Sequence, residues 1–127
     1  MNEMAQQIPL ACHSSNISGN AEPLLHEIYR AVEHLLQTDE SAQFDLRTLP
    51  LGQADYDRLD AVLGAGEITA TLQLEGETNI RECAIAGVWW VEHRNESGTI
   101  TARLIEVTHC PAIMCSQRPD VEAGLVR

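Results

Sequence analysis

The chain has 127 residues, 44 % of them hydrophobic and 21 % charged, which is enough for one buried core and too little for two. Nineteen acidic residues face eight basic ones, all arginine, for a formal net charge of −11. That excess repels phosphate backbones and disfavours nucleic-acid binding; it suits a basic partner, or solubility alone.

No run of about 20 apolar residues is present, so a membrane span is not expected. The first twenty residues carry no arginine or lysine and no apolar core of a secretory signal, which points to the cytoplasm. Residues 1–20 are polar and irregular and read as a flexible leader. The domain proper is expected over residues 21–118, with a fraying tail over 119–127.

Leu24, Leu25, Ile28, Val32, Leu35 and Leu36 recur at helical spacing. Asn20 is placed to cap this helix, and Glu22 and Pro23 suit its first turn; it should end near Gln37. Gln43 to Leu49 alternates around Phe44 and Leu46, which predicts a strand ended by Pro50. A second helix is expected from Gln53 to Leu63, with Tyr56, Leu59, Val62 and Leu63 as its apolar stripe. Gly64 stands where a left-handed cap is wanted. Strands follow at 67–74, 78–84, 88–94 and 99–108, joined by short turns at Glu75-Gly76-Glu77 and Asn95-Glu96-Ser97-Gly98. The expected fold is α+β: a mainly antiparallel sheet of four to five strands, with two helices packed on one face.

Carboxylates are frequent in the strand region, and solvated strand faces account for most of them. Glu82 and Glu106 stand out because apolar residues follow each, which suggests a sheet edge or a groove. Phosphate loops, nucleophile elbows and HExxH patterns are absent from the sequence. Four cysteines in a reducing compartment read as thiols or ligands rather than as a disulfide framework. His109, Cys110 and Cys115 are close in sequence, and Cys83 or Cys12 would have to complete a zinc-like set. The competing reading is packed or inert thiols, since free cysteine is among the most buried residue types. Trp89 and Trp90 are neighbours on a strand and must point to opposite faces. Trp90 shares its face with Glu92 and Arg94, which makes it the expected surface aromatic and a candidate binding anchor. Helix packing over both rings is the alternative.

Three ordered blocks resemble one known family. They are Leu49-Pro50-Leu51 with Ala54–Leu59 and Val62–Ile68; Glu82-Cys83-Ala84-Ile85-Ala86-Gly87-Val88-Trp89; and Leu104-Ile105-Glu106-Val107 followed by Pro111. Together they are similar to the C-terminal domain of the HupH/HyaF hydrogenase-expression family, over about residues 44–113. The resemblance implies an accessory, chaperone-like protein, not an enzyme, that serves maturation of an uptake [NiFe]-hydrogenase. The implied partner is the iron–sulfur small-subunit precursor with its twin-arginine leader, alongside other hydrogenase accessory proteins. No cofactor and no catalytic residue are implied, and longer members carry more than this one domain. Trp90, Glu82, Glu106 and the turn containing Gly64, Gly66 and Glu67 are then the candidate partner-binding residues. The alternative is a thiol- or metal-binding protein of the same pathway, handling redox equivalents or an iron–sulfur cluster through Cys110, Cys115, His109 and Cys83.

Overall fold

A computed structural model describes residues 19–126. The leader expected over 1–20 lies outside these residues except for Gly19 and Asn20, and so does Cys12. Helix α1 spans Ala21–Thr38, strand β1 Ala42–Asp45 and helix α2 Gln53–Leu63. Strands β2 (Thr69–Gln73), β3 (Glu77–Glu82), β4 (Val88–Arg94) and β5 (Ile100–Val107) follow, and helix α3 covers Arg118–Leu125. The sheet is antiparallel throughout, in the order β1-β5-β4-β3-β2. The short strand β1 therefore returns to pair with the last strand, while β2 to β5 form the predicted meander.

The amphipathic stripes settle which face the helices cover. Leu24, Leu25, Ile28 and Leu35 of α1 and Leu59 and Leu63 of α2 pack with Val88, Trp90, Ile105 and Val107. All four sheet residues point to one side, as the registers Trp90↔Ile105 and Val88↔Val107 require. The expected α+β architecture with two helices on one face is present.

A buried carboxylate joins the two helices at their starts. Asp55, only 2 % exposed, accepts from Gly52 N–H (3.0 Å), at the start of its own helix, and from Ala21 N–H (3.3 Å), at the start of α1. A helix N-terminus leaves such donors unpaired and carries partial positive charge, so one carboxylate serves both ends. Glu22 of α1 bridges Arg58 of α2 at 2.7 Å and ties the helices a second time.

Several local expectations are corrected. Asn20 makes no side-chain cap on α1; its Nδ2 donates to Pro50 O, and Asp55 takes the Ala21 N–H instead. The strand predicted to reach Leu49 stops at Asp45, and Leu46–Thr48 form a 3₁₀ turn. The Asp45 side chain accepts from Arg47 N–H at 3.0 Å, a local bond that turns the chain out of the ladder. Leu46 is fully buried all the same, because the turn tucks it under the helices. Gly64 does not close α2 in the left-handed helical region: its φ of 67° goes with a ψ of −163°. The expected fraying tail is helix α3, with Pro119 in its first turn and no buried residue.

Replacement of Asp55 by Ala is expected to lower stability by about 2 kcal/mol, since two helix-start N–H groups lose their acceptor. Urea unfolding of the variant checks this, and an unchanged midpoint would refute the account.

Candidate partner-binding site

The helices cover only part of their side of the sheet. Beyond them, β2 and β3 leave an open groove of about 490 Å³ lined by Thr69, Thr71, Asn79, Arg81, Trp90 and Glu92. The registers Thr69↔Arg81, Thr71↔Asn79, Arg81↔Trp90 and Asn79↔Glu92 place these six side chains on one face. Strand alternation thus builds the groove from residues far apart in the chain.

Trp90 forms part of the groove wall, yet it is buried, 8 % exposed, and belongs to the helix-side core. The expectation of a surface aromatic is corrected. The Arg81 guanidinium lies over the Trp90 ring, 5.1 Å from its centre, and takes up the position that solvent would have held. Arg81 is itself fixed by Asp60 (2.6 Å) and by the Gly64 carbonyl (3.1 Å). Across the groove Glu92 holds Arg103 at 2.8 Å, and the Arg103 guanidinium stacks on Tyr56.

Trp89 points to the opposite face and is 3 % exposed. No helix of the first pair covers that side. Its indole Nε1 donates to Thr108 O at 3.0 Å, and Met114 packs on the cluster of Ile80, Trp89 and Val91. The segment after β5, with its 3₁₀ turn at Ala112–Met114 and its buried Pro111, folds back along this face.

The six candidate residues therefore do not form one surface. Trp90 and Gly64 meet on the helix side through Arg81. Glu82 and Glu106 lie on the other side, directly across from Trp89 in β3 and β5. Both carboxylates are on inner strands, not at an edge, and both are half-buried. Burial pushes the Glu106 carboxyl above its ordinary value. Gly66 lies against β3, its N–H donating to Glu82 O at 2.8 Å, and a Cβ there would come within 2.6 Å of the Cys83 carbonyl oxygen. Close backbone approach is what this position requires. Glu67 is exposed.

The thiols are divided in the same way. Cys83 is 1 % exposed in the helix-side core, and burial pushes its thiol up to about 11. Cys110 and Cys115 are exposed, which corrects the expectation of packed thiols for this pair. His109 turns its Nε2 to Asp39, 3.1 Å away. Among the described residues no three or more His, Cys, Asp or Glu side chains gather as metal ligands, so Cys83 is not brought to the other three.

The family described as “HupH hydrogenase expression protein, C-terminal conserved region” matches residues 19–127. The chain belongs to this family. Its match covers all the described residues, including helix α3, which the sequence blocks at 44–113 did not reach. A solved structure, the hydrogenase expression protein HupH from Thiobacillus denitrificans ATCC 25259, shares the fold of this HupH-family chain with a TM-score of 0.82. It is 45 % identical, over 86 % of this chain and 91 % of that one. The hydrogenase expression/formation protein HoxQ of Azotobacter vinelandii is 32 % identical over 62 residues. HupQ of Azotobacter chroococcum mcd 1 matches to the same extent. These 62 residues are 49 % of this chain but 22 % of each of those relatives, which are much longer proteins.

Arg81, Asp60, Arg103 and Tyr56 were not among the sequence candidates. An arginine in a strand carries no signal by itself; it becomes part of a site only once the register sets it on Trp90.

For Glu106 the raised value has a definite sign. The folded chain holds this proton more tightly than the unfolded chain, so folding loses stability as pH rises through the carboxylate range to the raised value. Glu106→Gln removes that loss. The variant is expected to gain on the wild type between about pH 4 and neutrality, measured as urea midpoints at both ends. An equal difference at both would sink the burial account.

Proposed function

We propose that this HupH-family domain is a non-catalytic accessory of hydrogenase expression and formation, one that binds the small-subunit precursor in the cytoplasm before export. The observation that carries this reading is the match of residues 19–127 to the HupH C-terminal conserved region. The longer relatives are hydrogenase expression/formation proteins, and other accessory proteins of that process are further partners.

The geometry suits binding. The groove offers threonine hydroxyls on β2, the Arg81 guanidinium stacked on Trp90, and the Glu92 carboxylate on β4. β2 is the last strand of the sheet, and its outer edge pairs with no further strand among the described residues. An extended segment can add to such an edge, with its side chains falling alternately into the groove. A net charge of −11 steers a cationic segment, such as a twin-arginine leader, towards the domain. The charged groups at the groove are already held: Arg81 by Asp60, and Glu92 by Arg103. Fixed, paired charges fit a recognition surface better than acid–base turnover.

Co-purification of the tagged chain with the small-subunit precursor tests the proposal. Wild type is expected to recover the precursor, and recovery should fall as salt is raised. Thr71→Arg, which fills the groove from an exposed strand position, should reduce recovery about tenfold or more, roughly the loss of one anchoring contact. Glu33→Gln, exposed on helix α1, makes the same single change in charge away from the groove and is the control. Absence of the precursor with wild type overturns the function. Equal recovery with Thr71→Arg and wild type overturns the groove as its place.

A further inference from the structure

The thiols of Cys110 and Cys115 stand 3.9 Å apart, both exposed, at the two ends of a six-residue turn. The turn is built to hold them there. Met114 N–H donates to Pro111 O and Cys115 N–H to Ala112 O, each at 3.0 Å, which closes the 3₁₀ turn between the cysteines. Pro111 is buried and anchors the first of them. Both sulfurs lie over the same Pro111 carbonyl, at 3.8 and 3.6 Å. A disulfide needs the sulfurs at about 2 Å, so closure asks for a further approach of roughly 2 Å by two side chains in solvent. Cys83 cannot compete, because it is enclosed on the helix side of the sheet.

We propose that Cys110 and Cys115 form a redox site: a dithiol that closes reversibly to an intramolecular disulfide by exchange with a disulfide-bearing co-reactant, RS–SR. One protein thiol, as thiolate, attacks a sulfur of the reagent. The reagent's S–S bond breaks, one RS⁻ leaves and takes up a proton, and a mixed disulfide forms on the protein. The second cysteine, also as thiolate, attacks the protein sulfur of that bond. The Cys110–Cys115 disulfide forms and the second RS⁻ leaves. The protein dithiol is oxidised by two electrons, and the co-reactant disulfide is reduced to two thiols. Proximity drives the second step, since the resolving thiol is already beside the mixed disulfide. Hydrogen bonding with the Cys115 sulfur holds the Cys110 thiol above its ordinary value, so exchange quickens as pH rises. The site does not depend on which partner the groove takes.

The test uses the full chain carrying Cys12→Ser, with oxidised glutathione as the probe at mildly alkaline pH. The expected product is a monomer lighter by two hydrogens, with two thiols lost, Cys83 still free, and peptide mapping that joins Cys110 to Cys115. Reduced glutathione in excess should restore both thiols. Adding Cys115→Ser should stop the reaction at a glutathione adduct on Cys110. Accumulated adducts without the Cys115 change, disulfide-linked dimers, or thiols that stay reduced would each overturn the proposal. So would closure onto Cys83 when Cys115 is absent.

Discussion

Strand β4 carries Val88-Trp89-Trp90-Val91 in succession, and all four are buried. Successive side chains on a strand point to opposite faces, so this sheet must be covered on both sides at its centre. The rest of the architecture answers that demand. Helices α1 and α2 supply cover on the Val88 and Trp90 side, and the segment after β5 supplies it on the Trp89 and Val91 side. Large aromatic rings make the requirement strong, since each tryptophan buries on the order of 200 Å².

The cover differs in kind on the two sides. Two helices tied through Asp55 and through the Glu22–Arg58 pair form a single cap, which reaches only part of the sheet. What remains beyond it is the groove, with Arg81 closing over the exposed side of Trp90. On the other side a short turn does the covering, held by one indole hydrogen bond, by Met114 and by buried Pro111. The turn that seats Met114 also sets two thiols side by side, so packing and the proposed redox site share one segment.

Regular elements were legible where the period was sustained. Helix α2 was expected over Gln53–Leu63 and β4 over Val88–Arg94, and both have those bounds. The alternation at Phe44 and Leu46 misled because Leu46 is buried through a turn rather than along a strand; burial alone does not distinguish the two. Helix α3 escaped because it is two turns long and its only large apolar residues are the exposed Val121 and Leu125, too few to set a helical period against Gly124 and Pro119. At the site, two neighbouring tryptophans announced a sheet with opposed faces, but not that both faces are closed. Arg81 was invisible as a groove residue because its pairing with Trp90 is a matter of register.

The sequence by itself determined the class of this chain: acidic and α+β, with two helical stripes, a meander and a family. These follow from local periodicity and from ordered blocks, which need no knowledge of what packs on what. Tertiary structure alone decided the fate of the residues singled out. It buried Trp90 beneath Arg81, separated Trp90 from Glu82 and Glu106 across the sheet, enclosed Cys83, and brought Cys110 to Cys115. The first three depend on register, or on chain segments that meet from far along the sequence, which the spacing of neighbouring residues does not encode; the last depends on the local 3₁₀ turn at Ala112–Met114, which carries no apolar period to read.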